Sequence, residues 1–271
     1  MGFVLGINTS TIRPAPLLDK IKIAADAGFE AIELWNDELT EFEREVGSLD
    51  KVVQELERNN LKVATVIALK GWIESKGEEY RRALEEARRR MEQAAAVGSP
   101  YIIASPPRGK VEDMDEAARR YRELLELGKE IGVKPAMEFL GFVEGIYKIE
   151  HAWYIVERSG HPDGTIVMDT FHIFRGGSSF EQVKEIPADR IAVFHFNDAP
   201  AQPERAKQTD ADRVFPGDGI LPLKEVAGML REMGYEGVVS LELFNPRYWE
   251  MPPEEVAKTG MRKMREVLRV R

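Results

Sequence analysis

The sequence predicts a (β/α)₈ barrel, and three observations carry that prediction. Short apolar segments rich in branched residues alternate eight times with longer segments that read as helices. The strand segments are apolar on both faces, which is typical of a parallel sheet covered by helices. Several helix segments stop at a glycine, and the next strand begins within a few residues. These glycines include Gly28, Gly98, Gly132 and Gly160.

The first four units are predicted from these alternations, taken in order. FVLGIN precedes a helix from about Pro16 to Gly28, AIELW one from about Ser48 to Asn59, KVATVIAL one from about Glu78 to Val97, and YIIASPP one from about Met114 to Ile131. The strands of these units are predicted at Phe3–Asn8, Ala31–Trp35, Lys62–Leu69 and Tyr101–Pro107.

The last four units repeat the construction. The strands are predicted at Lys134–Gly141, Thr165–His172, Ile191–Asp198 and Gly237–Phe244, followed by helices over about Tyr147–Ser159, Ser179–Glu185, Pro222–Met233 and Pro253 to the end. No linker or low-complexity segment divides residues 1–271, and a barrel of this length is ordinarily undivided. We therefore expect a single (β/α)₈ TIM barrel domain.

Composition excludes some classes of function. The absence of cysteine removes disulfides, thiolate metal ligands and cysteine nucleophiles. A net charge of −9 without a basic stripe disfavours nucleic acid as a partner. No apolar run is long enough for a membrane span, and no basic leader precedes FVLGIN, so we expect neither membrane association nor a signal peptide. The expected location is cytoplasmic.

Strands five to eight each carry one metal-ligating residue type near the carboxyl end. Because side chains alternate along a strand, these four lie on the face opposite their large apolar neighbours. They are Glu138, Asp169, His195 and Glu242. In such barrels the carboxyl ends of the strands carry the chemistry.

Three carboxylates and an imidazole in one space repel each other unless a cation binds them. For any one residue a structural salt bridge is the alternative, but the convergence of all four favours a metal site. Three oxygen ligands and one nitrogen suit one divalent cation, Mn²⁺, Co²⁺, Mg²⁺ or Zn²⁺, with positions left for substrate oxygens.

The segments AMEFLG, MDTFHIF, FHFND, TDADRVFPGDG and SLELFNPRYW resemble the sugar isomerase and epimerase superfamily of xylose-isomerase-like TIM barrels. The resemblance is densest from Ala136 onward and is greatest to the inosose (2-keto-myo-inositol) isomerases of inositol catabolism. It implies that the metal quartet Glu138, Asp169, His195 and Glu242 binds one cation, and that Glu138 and Glu242 are also the acid/base pair.

The resemblance also implies substrate-binding residues. His172 and Arg213 match residues that contact substrate oxygens, and Glu144 stands where ketose epimerases have another such glutamate. A histidine that only caps a strand end is the alternative for His172, and Arg213 follows a longer loop than in those epimerases. The implied substrate is a small keto sugar or inosose, and a homo-oligomer is possible.

The expected chemistry is removal of a proton α to a carbonyl, giving an enediolate that a cation stabilises, and its return by a carboxylic acid. Alternatives within the superfamily are a ketose 3-epimerase, a hydroxypyruvate isomerase and an inosose dehydratase. A more remote one is an abasic-site endonuclease of similar fold, which needs more histidines and a basic surface. A further alternative is a barrel that binds metal without catalysing a reaction. The presence of both Glu138 and Glu242 argues against this alternative.

Overall fold

Parallel strands pair in chain order and close on themselves, with the last strand against the first. The structure is a computed structural model that describes residues 2–269, and within that range the barrel has eight strands. They are β1 (Val4–Asn8), β2 (Ala31–Trp35), β3 (Lys62–Leu69), β4 (Tyr101–Ala104), β5 (Lys134–Met137), β6 (Thr165–Asp169), β7 (Ile191–His195) and β8 (Val238–Leu241). The predicted fold class is confirmed.

Helices cover the outside of this barrel and connect successive strands. They are α1 (Leu17–Asp26), α2 (Asn36–Val46), α3 (Asp50–Arg58), α4 (Gly77–Ala96), α5 (Met114–Ile131), α6 (Ile149–Ser159), α7 (Thr170–Gly176), α8 (Leu223–Glu232), α9 (Pro246–Trp249) and α10 (Pro253–Leu268). No helix of the described range is long and apolar enough to cross a membrane.

The alternation of side chains along each strand divides the core into two parts. A small inner cluster fills the barrel and consists of Ile67, Ala68, Ile103, Ala136, Val167, Ala192 and Val193. The opposite faces of the same strands pack against the helices in a much larger cluster, to which Ile166 and Met168 belong. The predicted faces of β6 are therefore confirmed. Asp169 shares the inward face with Val167 and lies beyond the inner cluster, at the carboxyl end of the strand.

The second unit differs from the prediction, which gave one helix over Ser48–Asn59. The structure has two, because α2 begins directly at Asn36 and a separate α3 starts at Asp50. Five of the eleven α2 residues are acidic, and the few apolar residues, Leu39, Phe42 and Val46, made the helical spacing hard to recognise. Gly47 ends α2 with a left-handed φ of 91°.

The sixth strand is shorter than predicted, which changes the setting of His172. The strand ends at Asp169, and α7 begins at Thr170. The Asp169 side chain caps the helix, since its Oδ1 accepts a hydrogen bond of 3.0 Å from the backbone N–H of His172. The prediction of an extended segment through His172 is wrong, because a capping aspartate turned the chain into a helix.

The bounds of other helices and strands differ from the predicted bounds by a few residues. The segment predicted as a helix at Ser179–Glu185 is a 3₁₀ helix over Phe180–Glu185, and α9 was not predicted. Strands β4, β5, β7 and β8 stop before the predicted ends, so that Glu138 and Glu242 each lie one residue beyond a strand. The last helix ends at Leu268, and residues 270–271 of the predicted helix lie outside the described residues.

Candidate metal and catalytic site

Three of the four predicted metal ligands converge at the mouth of the barrel. One ligand atom each from Asp169, His195 and Glu242 lies within 4.8 Å of the others, and all three side chains are buried. Asp169 and His195 end neighbouring strands and are paired in register, whereas Glu242 follows β8 on the next position around the barrel. The register of β6, β7 and β8 therefore sets the spacing of this trio.

His195 offers one ring nitrogen to this trio. Its Nδ1 lies 3.1 Å from Glu242 Oε2 and 3.4 Å from Asp169 Oδ2. The same nitrogen is buried without a well-formed hydrogen bond to any residue in 2–269. A buried nitrogen between two carboxylate oxygens fits a cation shared by all three, and two hard oxygen ligands with an imidazole suit a divalent metal. Although burial opposes it, the nearby carboxylates of Glu242 and Glu33 raise the pKa of His195.

The other ring nitrogen of His195 contacts Glu33, a residue that the sequence analysis missed. Glu33 Oε2 lies 3.0 Å from Nε2 and also accepts a hydrogen bond of 2.6 Å from Thr65 Oγ1, while Ser240 Oγ donates to Oε1. Burial alone would raise the pKa of Glu33, but the contact with His195 lowers it. The signal was present in AIELW, where a carboxylate interrupts an apolar strand as in strands five, six and eight.

Asn8 at the end of β1 was also missed. Its Nδ2 donates a hydrogen bond of 2.9 Å to Glu242 Oε1, and its Oδ1 accepts one of 2.9 Å from Trp35 Nε1. The amide thus fixes one oxygen of Glu242 and leaves the other facing His195. The sequence does place Asn8 at the carboxyl end of a barrel strand, and that position could have indicated a role in the site.

Arg213 reaches this site from the long loop after β7. Its Nη1 donates to Asp169 Oδ2 and to Glu242 Oε2, each at 2.8 Å, and Nη2 donates to Asp210 Oδ1 at 2.6 Å. The guanidinium is wholly buried. Burial alone would raise the pKa of Asp169, but the positive charge of Arg213 holds it well below its usual range.

His172 also belongs to this group. Its Nε2 lies 3.0 Å from Arg213 Nη2, and its Nδ1 accepts a hydrogen bond of 3.2 Å from the backbone N–H of Gly141. Burial lowers the pKa of His172 to about 4, which makes the neutral imidazole its form near pH 7. The α7 helix places the ring, so the contact did not require the strand to bend over the pocket.

Glu138, the fourth predicted ligand, lies beside the trio without forming part of it. Its Oε2 accepts a hydrogen bond of 2.7 Å from Ser105 Oγ. Burial, followed by the charge of Glu242, raises the pKa of Glu138 to about 8. The structure therefore brings Glu138 to the site and leaves its ligation to the cation a prediction.

A cavity of about 370 Å³ opens above these side chains. Its polar wall includes Ser105, Glu138, His172, Asp210, Arg213 and Glu242, and its apolar wall includes Trp35, Ile67, Leu140, Phe142 and Phe244. A mixed wall of this kind suits a small hydroxylated molecule. Glu144 is exposed and outside the cavity lining, so the structure does not bring it to the site.

The fold and the site together define a TIM barrel with a candidate metal site at its carboxyl-end mouth, the end at which barrel enzymes carry their chemistry. Residues 21–267 match the family model described as xylose isomerase-like TIM barrel. The chain belongs to this family, and it is an enzyme, as are its relatives named as isomerases and epimerases.

Three individual proteins show how similar this chain is to known members of the family. The chain is 30% identical to an inosose isomerase of Halalkalibacterium halodurans over 93% of its own length and 91% of that protein. A 3-dehydroshikimate dehydratase of Pseudomonas putida is 22% identical over 92% of this chain and 39% of the relative. A crystal structure of the IolI protein with a bound zinc atom superimposes with a TM-score of 0.91, at 26% identity and 98% coverage of each chain. That structure and the trio support a divalent cation site here.

Proposed function

We propose that the protein is a divalent-cation-dependent isomerase that interconverts inososes through an enediolate. The observation that carries the proposal is the convergence of Asp169, His195 and Glu242 next to a cavity that Glu242 and Glu138 both line. The similarity to an inosose isomerase over nearly the whole of both chains supports the choice of keto-inositols as the substrate class.

The cation would be held by Asp169, His195 and Glu242, with Glu138 as the fourth ligand of the proposed set. A bound divalent cation polarises a carbonyl and stabilises negative charge on oxygen. Mn²⁺, Co²⁺, Mg²⁺ and Zn²⁺ all suit these donors, and the zinc in the IolI structure supports zinc among them.

Proton transfer falls to the two glutamates that line the cavity. Glu138 follows β5 and Glu242 follows β8, three strands further around the barrel, and both side chains line the cavity. In the proposed reaction one carboxylate removes the proton next to the carbonyl. The other, as a carboxylic acid, returns a proton to the neighbouring carbon.

Arg213 and His172 are proposed to bind substrate oxygens. Arginine stays protonated and has no lone pair for a metal, whereas its donors suit hydroxyl and oxyanion groups. Both side chains line the cavity and contact each other, so one substrate oxygen can be shared between them. Glu144 is exposed and lies outside the lining of the cavity, so the geometry adds no support for the same role there.

The test is turnover of inososes in D₂O, followed by NMR at the carbons beside the carbonyl. Deuterium should appear there in the wild-type protein. In Glu138→Gln and Glu242→Gln we expect turnover to fall by about 10²–10⁴-fold, which is the usual contribution of a positioned acid or base. Gln182→Glu, on the 3₁₀ helix outside the cavity, serves as a control for a Glu/Gln exchange and should keep wild-type turnover.

Three results would each contradict part of the proposal. Product formation without any deuterium exchange would contradict the two-carboxylate route. It would favour a proton transfer shielded from solvent, or a hydride shift. Activity on a linear ketose or on hydroxypyruvate, without activity on inososes, would contradict the proposed substrate class. The proposed metal site would be unaffected by that result. Loss of water from the substrate would favour a dehydratase, the activity named for the Pseudomonas putida relative.

A further inference from the structure

Asp210 lines the cavity of the candidate site, and no step of the proposed reaction uses it. It begins a short 3₁₀ helix, Asp210–Asp212, in the long loop between β7 and α8. Its Oδ1 accepts two hydrogen bonds from Arg213, of 2.9 Å from Nε and 2.6 Å from Nη2. Its Oδ2 accepts none from any residue in 2–269, and the side chain is 32% exposed. One oxygen of this carboxylate is therefore available to a ligand.

Arg213 lies between Asp210 and the candidate metal ligands. Asp210 binds the edge of the guanidinium that Nε and Nη2 form, whereas Nη1 donates to Asp169 and Glu242. The guanidinium is also packed against Phe171, with its carbon 4.9 Å from the centroid of that ring. A ligand ring that lies along Arg213 with its carbonyl at the metal ligands therefore has its far side towards Asp210.

The loop that carries Asp210 is anchored by contacts of its own. Gln208 is only 1% exposed, and its Nε2 donates hydrogen bonds of 2.7 Å to the backbone carbonyls of Pro200 and Pro203. Arg175 Nε donates one of 2.8 Å to the backbone carbonyl of Gln208. Asp210 is therefore held beside the cavity by its backbone as well as by Arg213, and a group fixed in advance costs less entropy when a ligand binds.

A carboxylate with one unused oxygen selects a hydrogen-bond donor. Ionised carboxylates only accept hydrogen bonds, so a hydroxyl group is a suitable partner on a small ligand. The charge makes such a bond stronger than one between neutral groups. An ammonium group fits less well, because the positive charge of Arg213 already lies against the same carboxylate.

We propose that Asp210 determines substrate specificity by holding Arg213 with one oxygen and accepting a hydroxyl of the substrate with the other. The substrate class is then a keto ring that has a free hydroxyl on the side remote from the reacting carbonyl. This inference rests on the proposed function, since that function places the carbonyl at the metal ligands.

The experiment measures the affinity of myo-inositol and of each monodeoxy-inositol, by titration calorimetry of the full chain supplied with Mn²⁺. In the wild-type protein, the compound that lacks the hydroxyl facing Asp210 should bind at least about tenfold more weakly than myo-inositol, as loss of a hydrogen bond to a charged group would give. In Asp210→Asn most of this difference should disappear. Asparagine keeps the shape and one oxygen for Arg213, but its NH₂ group cannot accept a hydrogen bond.

Two comparisons separate this role from simple support of Arg213. A displaced Arg213 would weaken the binding of every compound alike, whereas the proposed contact affects the difference at one hydroxyl. Losses at hydroxyls that contact other residues should persist in Asp210→Asn. The control variant is Asp189→Asn, an equal charge change at an exposed position outside the cavity lining, and it should keep every wild-type difference.

The inference would be overturned if no monodeoxy compound bound more weakly to the wild-type protein, or if every loss were as large in Asp210→Asn as in wild type. Turnover of inososes judges the proposed function separately. Turnover without the effect of Asp210 would reject this inference alone. The effect of Asp210 without any turnover would reject the isomerase and leave Asp210 as a binding residue.

Discussion

The carboxylate of Glu33 lies 3.0 Å from Nε2 of His195, and neither side chain is accessible to solvent. This contact occupies the nitrogen of His195 that faces away from Asp169 and Glu242, so that Nδ1 faces the candidate cation. Metal-binding histidines commonly donate their second nitrogen to a carboxylate, which fixes the orientation of the ring. Glu33 thereby acts on the site through His195.

Glu33→Gln should weaken cation binding by about 10–100-fold, because an amide cannot hold the imidazole as a carboxylate does. The measurement is the Kd for Mn²⁺ or Zn²⁺ by direct titration, with the fold checked by circular dichroism. Glu55→Gln is the matched control, since Glu55 is also a buried glutamate, on α3, and pairs with Arg58. A wild-type Kd in Glu33→Gln would reduce Glu33 to a structural residue of the barrel.

The Asp169→Asn variant should bind the cation more weakly than the Glu33→Gln variant, because the Asp169 substitution removes the charge of a proposed ligand. We expect a Kd more than about 100-fold higher and little metal after purification without chelator. Elemental analysis of the purified protein measures this, with Asp115→Asn on the surface of α5 as the control for an equal charge change. Equal metal content in Asp169→Asn and wild type would remove Asp169 from the site.

Arg213→Ala should keep the cation and lose kcat/KM, since the guanidinium is proposed to act on substrate. It should also destabilise the chelator-treated protein by about 3–5 kcal/mol, because two buried carboxylates lose their shared partner. Adding Mn²⁺ should then raise the Tm more in the variant than in wild type. Unchanged kinetics and an unchanged Tm would make Arg213 a loop residue without a role in the site.

Asp198 has a structural role that can be separated from the site. Its two carboxylate oxygens accept hydrogen bonds of 2.9–3.1 Å from the backbone N–H groups of Ala199, Gly217, Gly219 and Leu221. Asp198→Ala should lower the free energy of unfolding by about 3 kcal/mol, because several buried donors lose a charged acceptor. Denaturant titration measures this, and Asp218→Ala, an exposed neighbour, should change stability far less.

Glu86 on α4 gives a pH-dependent prediction remote from the site. Hydrogen bonds from Arg89, and further ones from Arg90, lower the pKa of Glu86 to about 2. Because the folded pKa is below the unfolded one, this stabilisation is complete above the unfolded pKa and is lost as pH falls towards 2. Its side chain is 45% exposed, so the contribution is below about 1 kcal/mol.

Denaturant titration of Glu86→Gln at pH 7 and near pH 2 tests this linkage. The variant should be less stable than wild type at pH 7, and the difference should vanish near pH 2. Glu92→Gln, an exposed position on the same helix without an ion pair in the described range, should show no such trend. A difference that persists at low pH would assign the stabilisation to packing of the side chain.

The sequence by itself determined the barrel and most of its candidate metal site. Period-two alternation in β6 fixed which residues face inward, because a strand has no other way to place successive side chains. The same rule placed Asp169 and His195 on one side. Convergence at the mouth followed from the topology, since parallel strands in a closed barrel end at one face.

Only the tertiary structure decided which side chains contact each other across the barrel. Glu33 and Asn8 lie far from His195 and Glu242 in the chain, and their contacts depend on how the barrel closes. Asp169 ended its strand by capping α7, a local hydrogen bond that competes with strand pairing and cannot be read from apolar alternation. Glu144, although near Glu138 in sequence, stayed in solvent because a loop residue follows the path of its backbone and not the register of a strand.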